Sequence, residues 1–175
     1  MNLKNSIRTI PNFPKPGILF RDITTLINND DAFSFAIDKL SDSYRMKGIK
    51  KVAGIEARGF IFGAAIAKQL GVGFLPIRKK GKLPGSTYKQ DYKLEYGTDT
   101  LEIHKNCIAK QEKILLIDDL IATGGSAEAA IKLLHKAGGN VVGAAFVIDL
   151  PDLGGLAKIM EMGVPVTTLV TFSGC

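Results

Sequence analysis

The chain has 175 residues, a length typical of one medium-sized domain, and 46% of them are hydrophobic, which is enough to form a core. No apolar run approaches the roughly 18 residues of a membrane-spanning helix, the N-terminus lacks the apolar core of a signal peptide, and two cysteines cannot form a disulfide framework, so we expect a cytoplasmic protein. The net charge of +6 favours an anionic partner without choosing among nucleic acid, membrane and phosphorylated metabolite.

Taken in chain order, the sequence predicts an irregular start followed by alternating strands and helices. Prolines stiffen residues 11–17, because each fixes its own φ and restrains its neighbour. From residue 31 onward, short β-branched runs alternate with helical patterns, which predicts βαβ units around a parallel sheet. The predicted helices are residues 31–48, 59–70, 125–136 and 153–162, and the predicted strands are residues 51–55, 72–78, 113–117, 140–150 and 164–172.

One long segment interrupts this alternation. Residues 81–105 are rich in Gly, Tyr, Thr and Lys, and they predict a long excursion or hairpin rather than core. Excursions of this length inside a compact domain are usually functional. Since the chain has no internal repeat and no linker, we expect residues 1–175 to form a single domain.

A phosphate site is predicted where the strand 113–117 ends. Asp118 and Asp119 follow that strand, at the edge of the sheet where open α/β folds bind ligands. The chain then enters a helix, whose N-terminus carries about half a positive charge, and the glycines there let backbone N–H groups converge on an anion. The residues of this loop are Ala122, Thr123, Gly124, Gly125 and Ser126. Because two acids would repel a phosphate, we expect them to hold sugar hydroxyls or the water shell of a metal, which together predicts a ribose 5-phosphate ligand.

The segment differs from two common nucleotide sites and is similar to a third. It lacks the Gly-x-x-x-x-Gly-Lys-Ser/Thr pattern of a P-loop, and no Gly-x-Gly-x-x-Gly follows a strand. An ordinary capped turn is the structural alternative. The apolar strand, two acids and Thr-Gly-Gly loop resemble the signature for 5-phosphoribosyl-1-diphosphate (PRPP) of the type I phosphoribosyltransferases. The resemblance covers residues 13–148, and residues 13–23 and 94–97 are most similar to the branch that acts on adenine.

This resemblance implies a fold, a reaction and partners. The implied fold is α/β, a parallel sheet flanked by helices, with a flexible β-hairpin loop at residues 81–105 and a small N-terminal hood at residues 1–30. The implied reaction moves the phosphoribosyl group of PRPP to N9 of adenine, giving AMP and pyrophosphate. Mg²⁺ is the implied cofactor, held mainly by PRPP and water with no direct protein ligand. A homodimer is implied, and neither nucleic acid nor membrane is expected as a partner.

For the base, the resemblance implies three residues of the N-terminal arm. Phe20 would stack on adenine, while the backbone around Leu19 and the side chain of Arg21 would read its edge. An aromatic residue beside an arginine on a proline-stiffened segment also suits a planar heterocycle. The alternative is that Ile18 and Phe20 merely anchor the arm to the core.

For pyrophosphate, the resemblance implies two short segments. The members of this set are Glu56, Ala57, Arg58, Arg78, Lys79 and Lys82. The first three follow a strand, and in the family this loop often contains a non-proline cis peptide. Arg58 could instead cap a helix at the surface. Ser126 stands where Thr is frequent in the family, but it keeps the hydroxyl and the backbone donor.

The catalytic assignment rests on the hairpin. Glu95 resembles the glutamate of the loop that closes over the site and handles the proton on the purine ring, and Tyr96 would help to seal that loop. On its own, a glutamate among tyrosines on a hairpin usually faces solvent. Phosphoribosyl transfer to another purine base, a non-catalytic PRPP- or purine-sensing regulator and a basic nucleic-acid-binding module remain open as alternatives. Few aromatics are interleaved with the basic residues, which disfavours the last of these.

Overall fold

The computed structural model describes residues 1–94 and 97–174. Fourteen helices and strands are described, in chain order: β1 Arg8–Pro11, β2 Leu19–Asp22, α1 Thr24–Ile27, α2 Asp30–Asp42, β3 Lys51–Ile55, α3 Arg58–Leu70, β4 Gly73–Lys79, β5 Thr87–Lys93, β6 Thr98–His104, β7 Lys113–Ile121, α4 Gly125–Lys136, β8 Asn140–Asp149, α5 Gly155–Glu161 and β9 Val166–Thr171. Short 3₁₀ turns cover Leu3–Ser6 and Pro151–Leu153. None of the helices in these ranges combines the length and hydropathy that crossing a membrane requires.

The main sheet has seven strands in the order β5-β6-β4-β3-β7-β8-β9. The five strands from β4 to β9 are parallel, whereas β6 pairs antiparallel with β4 and β5 antiparallel with β6. The predicted α/β fold, a largely parallel sheet flanked by helices, is confirmed. Because β3, β7 and β8 are parallel neighbours, their carboxyl ends meet at one edge of the sheet, and that edge holds the candidate site.

Helices cover both faces of this sheet, which explains the continuous apolar run in its central strand. Along β7, Leu115 and Ile117 pack into a cluster with α2 and α3, while Ile114 and Leu116 pack into a second cluster with α4 and α5. All four side chains are fully buried. Parallel strands buried on both faces lose the alternation of polar and apolar residues.

The predicted helix over residues 31–48 is wrong at its C-terminal end. Helix α2 ends at Asp42, and turns occupy the next six residues. Tyr44 is nevertheless buried, and its hydroxyl lies 2.9 Å from the hydroxyl oxygen of Thr167 in β9. The apolar stripe therefore continued past the helix because the following turn also packs against the sheet.

The prediction that residues 81–105 lie outside the core is also wrong for half of the segment. This segment forms the β5–β6 hairpin, and β6 joins the main sheet beside β4. Leu101 and Ile103 in β6 are fully buried under the α4 side of the sheet. The burial of β6 was not predicted because its hairpin partner β5, an edge strand, is rich in polar residues.

A third difference concerns the two acids. The central strand does not end at residue 117 but continues to Ile121, so Asp118 and Asp119 lie within β7. Asp118 pairs with Phe146 of β8 in the ladder. The backbone of the acidic pair is thus fixed by the sheet rather than by a loop.

The N-terminal arm forms a separate two-stranded sheet. Strands β1 and β2 pair antiparallel from Arg8–Asp22 to Pro11–Leu19, and the proline-rich residues 12–18 form the irregular connection between them. The Asp22 carboxylate accepts hydrogen bonds from the Thr24 hydroxyl at 2.6 Å and from Arg8 Nε at 3.1 Å. These bonds, led by the one from Thr24, lower the pKa of Asp22 from 3.8 to about 2. The arm is therefore fastened to α1 at the end of β2.

Candidate active site

The loop between β7 and α4 has the form of an anion cradle. Gly124 has φ 78°, a left-handed conformation that favours glycine, and it precedes α4 without any side-chain cap. The first backbone N–H groups of a helix have no partner inside the helix, so those of α4 can bind an anion. A cavity of about 190 Å³ lies here, lined by residues 120–127 together with Arg58, Asp118 and Asp119. The structure therefore brings together the loop residues named from the sequence.

A glycine that the sequence analysis missed supports this loop from behind. The Gly155 N–H donates to the Ala122 carbonyl at 2.9 Å. A Cβ atom on Gly155 would lie only 2.3 Å from that oxygen and 2.6 Å from the Gly124 nitrogen. The neighbouring pair Gly154-Gly155 was visible in the sequence, but its contact with a loop thirty residues earlier is a tertiary feature.

The two acids have different surroundings. Asp119 forms an ion pair with Arg58, with 2.6 Å between Oδ2 and Nε, and its side chain is only 4% exposed. Asp118 Oδ1 accepts a hydrogen bond from the Asp119 N–H at 2.9 Å. The pKa of Asp118 is raised well above its ordinary value, first because burial removes the carboxyl from water and second because Asp119 lies next to it. The neutral form of Asp118 is thus favoured more than in an ordinary aspartate, beside a neighbour whose charge is paired.

A second, wider cavity adjoins the cradle. Its volume is about 540 Å³, within the range of small-molecule sites. It shares Arg58, Asp118, Asp119 and Ser126 with the cradle. The remaining lining residues come from the ends of β3, β4 and β5: Ile55, Glu56, Ala57, Lys79, Tyr92 and Leu94. The two cavities can therefore hold a ligand with a phosphate at one end and a larger polar body attached to it.

Glu56 has a supporting position in this cleft. Its carboxylate accepts hydrogen bonds from the Lys79 N–H at 2.9 Å and from Arg78 Nε at 3.2 Å. Burial raises the pKa of Glu56, but these bonds outweigh it and lower that pKa overall. The Glu56–Ala57 peptide is cis, as the family resemblance implied for this loop. The carboxylate of Glu56 is thus occupied by β4 and orients Arg78.

The basic residues of the predicted pyrophosphate set are not all in the same place. Lys79 lines the wider cavity, and its Nζ lies 3.4 Å from Asp99 Oδ2. In the part of the chain that the structure describes, Arg78 and Lys82 lie outside the residues that line the two cavities. Arg78 donates to the Lys82 carbonyl at 3.2 Å, which links the two residues at the start of the hairpin.

The N-terminal arm brings one aromatic ring toward the cleft. The Phe20 ring centroid lies 5.9 Å from the guanidinium carbon of Arg58, and Phe13 packs edge-on against Phe20 at 5.2 Å. Leu19 and Phe20 are half-buried. Arg21 is buried instead, with a hydrogen bond to the Thr9 hydroxyl at 2.7 Å and its guanidinium over the Phe172 ring at 4.4 Å. Successive side chains of a strand point to opposite sides, so Phe20 and Arg21 lie in different surroundings.

Tyr92 is a further lining residue that the sequence analysis missed. It lies on β5 between the wider cavity and α4, and its hydroxyl donates to Asp99 Oδ2 at 3.2 Å. Burial and, second, the charge of Asp99 raise the pKa of Tyr92. The predicted catalytic residues Glu95 and Tyr96 come after Leu94 in the sequence and lie outside the described residues. Within the described ranges, no cluster of three or more His, Cys, Asp or Glu side chains could hold a metal ion.

Comparisons with known proteins agree with this geometry. The profile of the phosphoribosyl transferase domain family matches residues 24–158, so the chain carries a phosphoribosyl transferase domain. The adenine phosphoribosyltransferase of Maricaulis maris is 60% identical over 174 residues, covering 99% of each chain. The crystal structure of adenine phosphoribosyltransferase from Rhodothermus marinus matches with a TM-score of 0.91 at 49% identity, covering 97% of this chain and 96% of that one.

A third match is a structure with ligands. The Saccharomyces cerevisiae adenine phosphoribosyltransferase, solved with an iminoaltritol bisphosphate and adenine, matches with a TM-score of 0.89 at 42% identity and 96% coverage of both chains. The chain therefore belongs to the adenine phosphoribosyltransferase family. The resemblance seen in the sequence is confirmed.

Proposed function

We propose that this protein transfers the 5-phosphoribosyl group of PRPP to N9 of adenine, giving AMP and pyrophosphate. The observation that carries this function is the pair of adjoining cavities at the carboxyl edge of the sheet. One is a glycine-rich anion cradle, the other is wider, and Arg58, Asp118 and Asp119 line both. Relatives named adenine phosphoribosyltransferase, 60% identical over nearly the whole chain, support adenine as the base.

The cradle is proposed to fix the 5′-phosphate. The backbone N–H groups and hydroxyls of residues 122–126 suit this group, and the N-terminal charge of α4 favours its negative charge. Asp118 and Asp119 would bind the ribose hydroxyls, which can donate hydrogen bonds to the carboxyl oxygens. This arrangement would hold C1′ in the wider cavity, ready for attack by the base.

Arg58 and Lys79 are proposed to stabilise the departing pyrophosphate. Breaking the bond between C1′ and oxygen leaves positive charge on the sugar and negative charge on pyrophosphate, so fixed cations lower the barrier. The Arg58 side chain is 47% exposed, and its ion pair with Asp119 uses Nε, one of five N–H donors. Glu56 and Ala57 would contribute backbone groups, while Arg78 and Lys82 would approach from the start of the hairpin.

The base is proposed to lie between the Phe20 ring and the wider cavity. The Phe20 ring lies 5.9 Å from Arg58, so it would lie beside the proposed pyrophosphate side of the site. Backbone groups near Leu19 would read the edge of the base, because the hydrogen-bonded pairs of β1 and β2 fix this strand. Residues 1–30 would thus act as the hood within the single domain, and residues 81–105 as its closing loop.

Mg²⁺ is proposed to enter with PRPP. Mg²⁺ favours oxygen ligands and usually binds through one or two carboxylates, substrate phosphates and water. The wider cavity fits this preference, because Asp118 and Asp119 line it while the carboxylate of Glu56 is bonded to β4. Asp118 and Asp119 would contact its water shell. Bound there, the metal would neutralise charge on pyrophosphate.

We further propose a cytoplasmic homodimer. The net charge of +6 and the exposed lysines at the start of the hairpin suit a phosphorylated substrate, and they could also serve a neighbouring subunit's site. Light scattering of the purified protein should give twice the monomer mass of 18.8 kDa. A monomer would contradict this proposal.

The proposed catalytic residue is Glu95, with Tyr96 sealing the closed loop. Glu95→Gln should lower kcat by roughly a hundredfold and change the KM values little, because the glutamine cannot accept the purine proton. Glu161→Gln, an exposed glutamate in α5, is the matched control. Unchanged turnover in Glu95→Gln would remove this assignment.

The test of the function is a panel of free bases with PRPP and Mg²⁺. Pyrophosphate release should be fast with adenine and at least about a hundredfold slower with hypoxanthine, guanine and xanthine, since a site built for one set of polar groups leaves them unpaired with another base. Release with hypoxanthine or guanine instead would assign a different purine base. Absence of release with every base would contradict the enzymatic function.

A further inference from the structure

The buried side chain of Arg21 is bonded to the end of the chain rather than to the cleft. Its Nη2 donates to the carbonyl oxygens of Gly174 at 3.4 Å and Ser173 at 3.5 Å, and its guanidinium stacks on Phe172. Its Nη1 donates to Thr9 on the neighbouring strand β1. Both terminal nitrogens are thus engaged by the N-terminal arm and by residues 172–174, which we call the C-terminal tail.

The C-terminal tail is in turn fixed to the core. The Gly174 N–H donates to Asp152 Oδ2 at 2.7 Å, and the Phe172 N–H donates to the Asp149 carbonyl at 3.0 Å. Lys4 Nζ lies 4.8 Å from the centroid of the Phe172 ring, which is only 7% exposed. The tail therefore lies between the arm and the segment that follows β8.

That segment is itself bonded to the central strand. The Leu150 N–H donates to the Ile121 carbonyl at 3.0 Å, and the Gly155 N–H donates to the Ala122 carbonyl at 2.9 Å. Asp152 lies between these two bonds in the sequence. Hydrogen bonds and the short backbone segment 150–155 together therefore connect β7 through Asp152 and the tail to Arg21.

We propose that Arg21 is a positioning residue that acts through the C-terminal tail and Asp152, and that this path holds Phe20 at the base site. The inference deepens the proposed function and rests on it. A residue that reads a base needs free donors, and the terminal nitrogens of Arg21 are committed elsewhere. Its Nε is also buried, without a hydrogen-bond partner among the described residues, so this donor does not face the open cleft.

The experiment compares Arg21→Lys, Asp152→Ala and the double variant with the wild type, measuring kcat and both KM values. Each single change should raise the KM for adenine roughly fivefold, the effect of one lost hydrogen bond, and leave kcat and the KM for PRPP within about twofold. Because the two residues act along one path, the double variant should be no worse than the more affected single variant.

Two further variants separate this role from general damage. Asp152→Asn keeps an oxygen acceptor for the Gly174 N–H, so unlike Asp152→Ala it should have the wild-type KM for adenine. Glu161→Ala, the removal of an exposed carboxylate in α5, should change nothing. If Arg21→Lys does not fold, the comparison of Asp152→Ala with Asp152→Asn still tests the proposed path, because Arg21 is intact in both variants.

Three results would overturn the inference. The first is a KM for adenine that rises in Arg21→Lys but not in Asp152→Ala, while the two changes act independently in the double variant. That result would mean that Arg21 contacts the base directly. The second is a parallel loss of melting temperature, kcat and both affinities, which would indicate a structural role only. The third is an Asp152→Asn variant as impaired as Asp152→Ala. Failure of the proposed function would be distinct, because the wild type itself would then release no pyrophosphate with adenine.

Discussion

The proposed phosphate cradle and the N-terminal arm, to which we assign neighbouring parts of one site, are built in opposite ways. The cradle comes from five consecutive residues, offers backbone donors and follows the buried central strand β7. The arm offers side chains from a two-stranded sheet, and one contact that fixes it joins Arg21 to Ser173, 152 residues away. A backbone site can be specified locally, whereas a side-chain site depends on what holds its strand in place.

The largest effect is expected from filling the space behind the cradle. Gly155→Ala places a Cβ atom 2.3 Å from the Ala122 carbonyl, so the loop must move. We expect kcat/KM for PRPP to fall on the order of a hundredfold, since misplacing a bound group by about 1 Å has effects of that size. Steady-state kinetics with varied PRPP measures this.

Its control is another glycine in an ordinary conformation. At Gly73 a Cβ atom would meet nothing closer than 4.0 Å, so Gly73→Ala should keep wild-type activity. If Gly155→Ala retained its affinity for PRPP, the cradle would not depend on this tertiary support. The cradle would then be specified by its local sequence alone, in contrast to the arm.

An intermediate effect is expected from the arm. Phe20→Leu removes the ring beside Arg58 and should raise the KM for adenine about three- to tenfold through lost stacking, with a smaller effect on PRPP. Phe35→Leu, on α2 and outside both site cavities, is the matched control. Equal rises in both KM values would mean that the arm and the cradle are not separable.

The smallest effect concerns the anchor of the arm. The folded-state pKa of Asp22 is depressed from 3.8 to about 2, so its carboxylate stabilises the fold above pH 3.8, and that stabilisation is lost as the pH falls from 3.8 to about 2. Asp22→Asn should lower the free energy of unfolding by about 1–2 kcal/mol at neutral pH, and the difference should vanish toward pH 2.

Urea unfolding between about pH 7 and pH 3 measures this difference. Asp42→Asn, which removes an exposed partner of Arg45, should change stability by at most about 0.5 kcal/mol at every pH. A difference between Asp22→Asn and the wild type that did not depend on pH would show that the charge of Asp22 contributes nothing to holding the arm.

Much of the core followed from pattern alone, and the misses have physical causes. The strand over residues 51–55 was predicted at its observed bounds, and the helices over residues 59–70 and 125–136 within one residue, because apolar periodicity and glycine stops are local signals. The burial of Leu101 and Ile103 was missed, since half of a hairpin can be core only if another strand accepts it. Gly155 and Tyr92 were missed because their importance comes from contacts with distant segments.

The sequence by itself determined the parallel α/β fold, the position of the anion cradle and, through family resemblance, the adenine phosphoribosyltransferase family. Those features depend on residues that are neighbours in the chain: an apolar strand, two acids, then a glycine turn into a helix. Only the tertiary structure decided that Glu56 supports Arg78, that Asp119 pairs with Arg58 and that Arg21 joins the arm to the C-terminal tail. A charged side chain is directed by whichever partners the fold brings within about 3 Å, and no local spacing specifies them.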